Sequence, residues 1–378
     1  MQIKICRDGM EYVKLSDVCD VRDGTHDSPK YVANGYPLVT SKNIIDGKLD
    51  LSVVNYLSKD DYDKINERSK VDSGDIIMPM IGTIGNPFLV DDFSDFAIKN
   101  VALIKFPKKD VINRFVLYFF KSLAFERYIA KNNKGGTQKF LSLGDIRNVP
   151  IPKFCFEKQT EIVNNLDKLF TIIGKRKEEL FILDTLIKAR FVEMFGNLRE
   201  GECKGIKLGE LCNTVSGGTP STKFAEYYEG DIPWITTTSL GPNHIDGTTA
   251  KAFITKKAID NSATKLIPAG NILFGTRVGV GKSSLNDVDI CTNQDIVAIV
   301  GIDENRFNKL FIKYVLDFYQ PYYNSIKKGA TILGITSDDL KNTIVPDVSL
   351  CKQNAFETFV EQIDKSKFSG MKGNALFM

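Results

Sequence analysis

The stretch "KLGELCNTVSGGT" (Lys207–Thr219) repeats "KLSDVCDVRDGT" (Lys14–Thr25), and Cys212 stands 193 residues after Cys19. Working outward from this match, further pairs keep the same order. "GYPLVTSKNI" (Gly35–Ile44) faces "DIPWITTTSL" (Asp231–Leu240), and "DSGDIIM" from Asp72 faces "PAGNILF" from Pro268. "FVLYFF" from Phe115 faces "FIKYVL" from Phe311. "GDIRNVPIP" from Gly144 faces "DDLKNTIVP" from Asp338, and Gln159 falls on Gln353. The spacing stays between 193 and 200 residues throughout. One module is therefore written twice, each copy a domain followed by a helical segment.

The repeat also settles "GTRVGVGKSS" (Gly275–Ser284), which superficially resembles a phosphate-binding loop. That motif needs a glycine five places before the Gly-Lys pair, so that backbone N–H groups wrap the phosphates. The required position is Thr276. The matching stretch in the first copy, "MIGTIGNPFLV" from Met80, has the glycines but no Gly-Lys-Ser. The glycines are expected to make a tight turn between strands. An exposed turn carrying Arg277, Lys282 and Ser283 is then available to a nucleic-acid backbone.

Composition limits the remaining classes. The 43% hydrophobic and 26% charged content is that of a folded globular chain, and a net charge of +3 gives no argument for a large phosphate-binding surface. The seven cysteines (Cys6, Cys19, Cys155, Cys203, Cys212, Cys291 and Cys351) are scattered and never spaced C-x-x-C. That pattern predicts reduced thiols and a cytoplasmic protein, not a disulfide frame or a zinc site. No apolar run reaches the roughly 20 residues that span a bilayer, and the N-terminus does not read as a signal peptide.

Short β-branched runs separated by turns fill each module, such as "GDIIMPMIG" and "NVALIKF" in the first and "GNILFGTRVG" and "DIVAIVGI" in the second. An amphipathic helix is expected over Asn113–Lys131 and again over Asn305–Lys327. The predicted class is α+β: two tandem repeated α/β domains separated by long coiled-coil helices. The expected boundaries are 1–155, a central helix within 156–197, 198–349, and a shorter distal helix and tail over 350–378. In the central helix Ile162, Leu166, Leu169, Ile173, Leu180, Leu183, Ile187, Phe191 and Met194 step by three, four or seven, a seam of period near 3.5. Phe356, Val360 and Ile363 are their distal counterparts, after which Lys367 replaces Ile173 and the pattern fails. The two helices are expected to pair antiparallel, incompletely.

No catalytic constellation emerges. His26, Asp27 and Ser28 are adjacent, whereas a triad needs a base oriented from a separate element. There is no N-P-P-[FY] methyl-transfer motif, no helicase motif and no H-E-x-x-H. Cys19 and Cys212 lie in apolar-flanked runs and read as buried structural thiols.

Several of these segments carry a family resemblance. "GGTPSTKFAEYYEGDIPWITTTSL" (Gly217–Leu240) resembles the start of a target-recognition domain in the specificity (S) subunit of Type I restriction–modification systems. "DGMEYVKLSDVCDVRDGTHDSPKY", the glycine turn after "GDIIM", and "KGGTQKFLSLGDIRNVPIP" leading through "KQ" into a long helix are similar to the same family. The likeness runs from Met10 to about Phe368. It implies that each domain reads half of a bipartite double-stranded DNA target. The helices would set the spacing and dock two methyltransferase (M) subunits, which carry S-adenosylmethionine and methylate adenine N6. A motor–nuclease (R) subunit would use ATP and Mg. The chain itself would be non-catalytic, bind no cofactor and no metal, and have no membrane partner. The short distal helix departs from the family pattern. It raises the alternative of a truncated or silent specificity cassette, serving as scaffold or recombination donor.

Under that resemblance, polar turns supply the DNA contacts. The first copy offers Thr40, Ser41, Lys42 and Asn43, then Thr83, then Thr137, Gln138 and Lys139. The second offers Thr236, Thr237 and Thr238, then Arg277 and Lys282, then Lys327, Lys328 and Thr331. Asn43, Gln138 and Arg277 are the chemically apt base readers.

Overall fold

The computed structural model describes residues 4–5, 10–81, 84–91, 95–108, 110–132, 140–198, 204–329 and 332–372, with only the backbone path at 4–5 and 368–372. The chain divides into two compact units, Met1–Lys175 and Arg176–Met378.

The first unit is built on a four-stranded antiparallel sheet in the order Asp20–Asp23, Val101–Lys105, Ile76–Pro79, Phe88–Leu89. Its central strands are apolar at nearly every position because both faces are covered. Ile76, Met78, Ala102 and Ile104 point into one core with Leu15, Phe115 and Phe120, while Ile77, Val101 and Leu103 point into another with Val39 and Ile98. A period of two that feeds two cores reads as an unbroken hydrophobic run. A second sheet orders Ala97–Ile98, Tyr36–Val39 and Asn55–Leu57, the first pair parallel.

The second unit repeats this plan. Its main sheet runs Asn213–Ser216, Ile296–Val300, Ile272–Gly275, Ser283–Asn286, His244–Ile245. Ile272, Phe274, Val297 and Ile299 feed one core, and Leu273, Ile296 and Ala298 feed the other. The side sheet orders Ala252–Ile254, Ile232–Ile235, Ile290–Thr292 and Leu266–Ile267.

Each expected amphipathic helix is broken in two. The first unit has Asn113–Phe120 and Leu123–Asn132, and the second has Lys309–Phe318 and Gln320–Ile326. Ser122 sits at the first break and accepts from the N–H of Phe125, starting a new helix where the apolar spacing continues. At the second break Pro321 occupies the opening turn of the following helix, where its missing N–H costs nothing.

A 40-residue helix covers Phe156–Phe195, and a 23-residue helix covers Leu350–Lys372. Gln159 and Val163 of the long helix are buried in the first unit, Asp167 takes hydrogen bonds from Arg114 and Tyr118, and Phe170 stacks on Tyr118 at 5.3 Å. That face excludes Leu169 and Ile173, which are 53% and 48% exposed, so these two expected seam residues are not buried. Ile162 and Leu166 are half-buried.

In the second unit the long helix buries Ile187, Phe191 and Phe195, with Leu180, Leu183 and Met194 half-buried. Phe356, Val360 and Ile363 of the distal helix are buried in the same core. Phe191 and Phe195 meet Phe356 at 5.4 and 5.6 Å, Arg190 lies over Phe359, and Lys367 pairs with Asp184 at 2.8 Å. Partners that ascend in one helix descend in the other, so the two run antiparallel. No helix among the described residues is long and apolar enough to cross a membrane.

Candidate nucleic-acid interface

The repeated Asp/Ser-Gly-Thr/Gly turn after each first sheet strand has a physical reason. A Cβ on Gly24 would meet the carbonyl of Ile98 at 2.4 Å, and one on Gly217 would meet that of Asn293 at 2.2 Å. Only glycine lets the backbone approach so closely. The turn is thereby clasped to the corner between two strands. Thr25 N–H donates to Ile98 O and Asn100 N–H to Thr25 O; in the second copy Gly217 N–H donates to Ile296 O and Gly218 N–H to Thr292 O.

Polar side chains gather at this corner in both units. In the first, the His26 ring sits 2.8 Å from Asn100 Oδ1 through Nδ1 and 2.9 Å from Asp23 Oδ2 through Nε2. Both neighbours accept, so the doubly protonated imidazolium fits the site, and the hydrogen bonds to Asn100 and then Asp23 push the His26 pKa above its ordinary value. Arg68 pairs with the other oxygen of Asp23, and Lys99 donates to Ser28 Oγ at 2.7 Å. His26, Lys64 and Arg68 line a depression of about 500 Å³. Ser28 is thus bound by Lys99, and the His26 ring is taken by Asn100 and Asp23 rather than by a serine.

In the second unit Thr219 donates to Gln294 at 2.5 Å, Asn293 Nδ2 donates to Asp295 at 3.1 Å, and Arg277 lies 3.8 Å from Asp295. Ile335 N–H donates to Thr276 O, which draws the Lys328–Gly334 bridge beside Arg277. Arg277 and Lys328 border a depression of about 620 Å³ with Ile332 and Thr336. The structure therefore brings two of the expected cations together. Lys282 is exposed at the same hairpin, and Lys327 is half-buried.

That hairpin joins Ile272–Gly275 to Ser283–Asn286 and needs φ of +70° at Gly279 and +84° at Gly281. Within the turn Gly281 N–H donates to Gly275 O and Lys282 N–H to Gly279 O. Ser283 is not part of the exposed turn: as the first residue of the inner strand it is buried and donates from Oγ to Asp317 at 2.6 Å.

The remaining expected contacts divide. Lys42 and Thr238 are exposed, Thr40, Ser41 and Thr236 are half-buried, and Thr236 and Thr238 share a 2.9 Å hydroxyl contact. Asn43 is buried and cannot read a base: its Oδ1 accepts from Thr40 N–H and hydroxyl, and its Nδ2 donates to Asp50 O and Val53 O. Thr237 is buried too. Thr83, Thr137, Gln138, Lys139 and Thr331 lie outside the described residues. Sequence reasoning missed Arg68, Lys99, Asn100, Asn293 and Gln294, and read His26 only as a turn residue. The signal was the glycine turn itself, whose close approach requires a partner strand.

Burial pushes the Cys19 thiol up to about 12 and those of Cys212 and Cys291 up to about 11, far from a reactive thiolate. Among the described residues no group of three or more His, Cys, Asp or Glu side chains is placed to hold a metal ion.

Comparison with known proteins gives this geometry a context. Residues 7–180 and 200–374 each match the family model described as "Type I restriction modification DNA specificity domain". The chain is 27% identical over 303 residues to the EcoR124I/EcoR124II specificity subunit of Escherichia coli, covering 73% of this chain and 71% of that one. It is 22% identical over 373 residues to a putative type I restriction enzyme specificity subunit, MjaX, of Methanocaldococcus jannaschii, covering 94% and 86%. Among solved structures, a chain from a study of complex assembly and conformational transition in the type I R-M system superposes with a TM-score of 0.54 at 19% identity, covering 98% of this chain and 94% of that one. The Type I S subunit of M. genitalium gives 0.51 at 16% identity, with 98% and 94% covered.

Proposed function

Both halves of the chain belong to the Type I restriction–modification DNA specificity domain family, and from that membership we propose that each unit reads one half of a two-part duplex sequence. The general role is sequence-specific DNA recognition in partnership with methyltransferase subunits, and the chain is the non-catalytic specificity subunit. The observation that carries the two-part reading is the corner built twice: a glycine-clasped turn with His26, Arg68, Lys99 and Asn100 in one unit, and with Thr219, Asn293, Gln294 and Arg277 in the other. Arginine and lysine there hold phosphates, while the Asn100 and Gln294 amides offer donors and acceptors, and Arg277 paired donors, to base edges; Asn293 is buried and braces Asp295. Lys42, Thr238, Lys282, Lys327 and Lys328 flank these corners as further backbone contacts.

The helices Phe156–Phe195 and Leu350–Lys372 serve as spacer and docking post for two methyltransferase subunits, pairing as a coiled coil. Their antiparallel packing through Phe191, Phe195 and Phe356 supports that reading. S-adenosylmethionine resides on those subunits, which methylate adenine N6, and ATP with Mg on a motor–nuclease subunit that joins for restriction. A domain exchange tests the modular part. Replacing residues 1–155 by the matching domain of another family member should change one half of the methylated sequence and leave the other half intact. A change in both halves would rule out independent modules.

A further inference from the structure

We propose that a chain of polar contacts from Ser283 to Asp184 fixes the recognition hairpin of the second unit on its two helices, so that Asn243, Lys313 and Asp317 are positioning residues that set the gap between half-sites. The proposal rests on the DNA-reading role given above. Ser283, at the foot of the hairpin carrying Arg277 and Lys282, donates to Asp317 Oδ1 at 2.6 Å. The other Asp317 oxygen accepts from Lys313 Nζ at 2.7 Å, and that ammonium, 3% exposed, also donates to Asn243 Oδ1 at 2.7 Å. Asn243 lies in the loop that follows the Thr237–Ser239 turn, and its Nδ2 donates to Asp364 of the distal helix at 2.6 Å. Asp364 pairs with Lys367 at 3.2 Å, and Lys367 with Asp184 of the long helix at 2.8 Å.

Two observations separate this chain from ordinary fold maintenance. The first copy carries Leu117, Lys121, Phe170 and Ile173 where the second has Lys313, Asp317, Asp364 and Lys367. The module therefore folds without these contacts. In addition, a cavity of about 480 Å³, lined by Pro242 and Asn243 on one side and Leu180, Ile187 and Phe191 on the other, lies where the loop approaches the helices. The loop itself is tied to the hairpin strand, Leu285 N–H donating to Asn243 O and Gly241 N–H to Ser284 Oγ, and across the cavity the polar side chains carry that tie on to the helices. Buried ion pairs contribute little net stability but are strict in geometry.

The test uses the full chain with the double substitution Lys313→Met/Asp317→Leu, which replaces both charges together and leaves neither buried alone. Asn243→Ala is a second, milder variant. Hydrogen–deuterium exchange should rise about tenfold over residues 241–246 and 276–284 while the central strand Ile296–Val300 stays protected. In complexes with methyltransferase subunits, both half-site sequences should persist while the methylated gap relaxes by about one base pair, ~3.4 Å along the duplex. Unchanged exchange in a folded variant overturns the proposal, as does relaxed exchange with a single unchanged gap. If the unsubstituted chain directs no methylation, the DNA-reading role fails, and the exchange result still decides whether the polar chain holds the hairpin.

Discussion

Gln353 and Gln159 make the same knot at the start of the two helices, and cutting it has a calculable cost. Gln353 is fully buried. Its Oε1 accepts from Asn308 N–H at 2.8 Å, and its Nε2 donates to Arg306 O at 3.1 Å and Val348 O at 2.8 Å. Gln159 makes the equivalent three bonds to Ile112 N–H, Asp110 O and Phe154 O, at 2.9, 3.1 and 3.0 Å. Gln353→Met keeps the side-chain length and removes all three bonds. At a net ~1 kcal/mol for each bond the loss is ~3 kcal/mol, and the sheltered N–H and carbonyls that lose their partner hold it at or above that figure. The chain has one tryptophan, Trp234, buried in the second unit, so its fluorescence reports on that unit during urea unfolding. The fluorescence transition should lose ~3 kcal/mol, equivalent to a fall of about 6–12 °C in Tm for a unit of this size. Gln159→Met should destabilise the first unit by a similar amount, followed by circular dichroism. A loss below ~1 kcal/mol in both variants would refute the view that these amides fasten the helices to the domains.

Other consequences are equally open to measurement. Arg277→Ala and Lys328→Ala should each weaken duplex binding and reduce the slope of log affinity against log salt by about 1, whereas an unchanged slope would remove them from the phosphate contacts. Because the folded-state pKa of His26 is raised, the imidazolium and its bonds to Asp23 and Asn100 are present at acid pH and are lost as pH climbs through that raised value. Binding to the first half-site, measured from about pH 6 to about pH 9, should therefore weaken with rising pH, and His26→Gln should flatten the profile. Thiol labelling of the native chain at mildly alkaline pH should modify the exposed Cys155 and Cys351 and spare Cys19 and Cys291; rapid labelling of the latter two would contradict their burial.

The duplication was legible as a repeat at a nearly fixed offset, the central strands as apolar runs between turns, and the glycine hairpin as a turn that demands positive φ. Tertiary meetings were not. His26 and Asn100 are 74 residues apart and meet only because the Thr25–Lys99 bridge brings the turn to the strand corner. Asn43 looked like a base reader because polarity in a turn suggests exposure, yet its amide closes that turn and ties down Asp50 and Val53. Leu169 and Ile173 continue a period of 3.5, but the first unit takes the helix by Gln159, Val163, Asp167 and Phe170, a face that omits them. Periodicity identifies an apolar stripe without saying which partner covers it.

The central claim is that the two corners read two half-sites for a partner that methylates. The most direct measurement co-expresses the chain with a cognate methyltransferase subunit in a host lacking other adenine methylation, and maps N6-methyladenine across the genome. The account predicts a two-part motif with a fixed gap. Methylation at a single continuous site, or none from a folded and soluble complex, would contradict it.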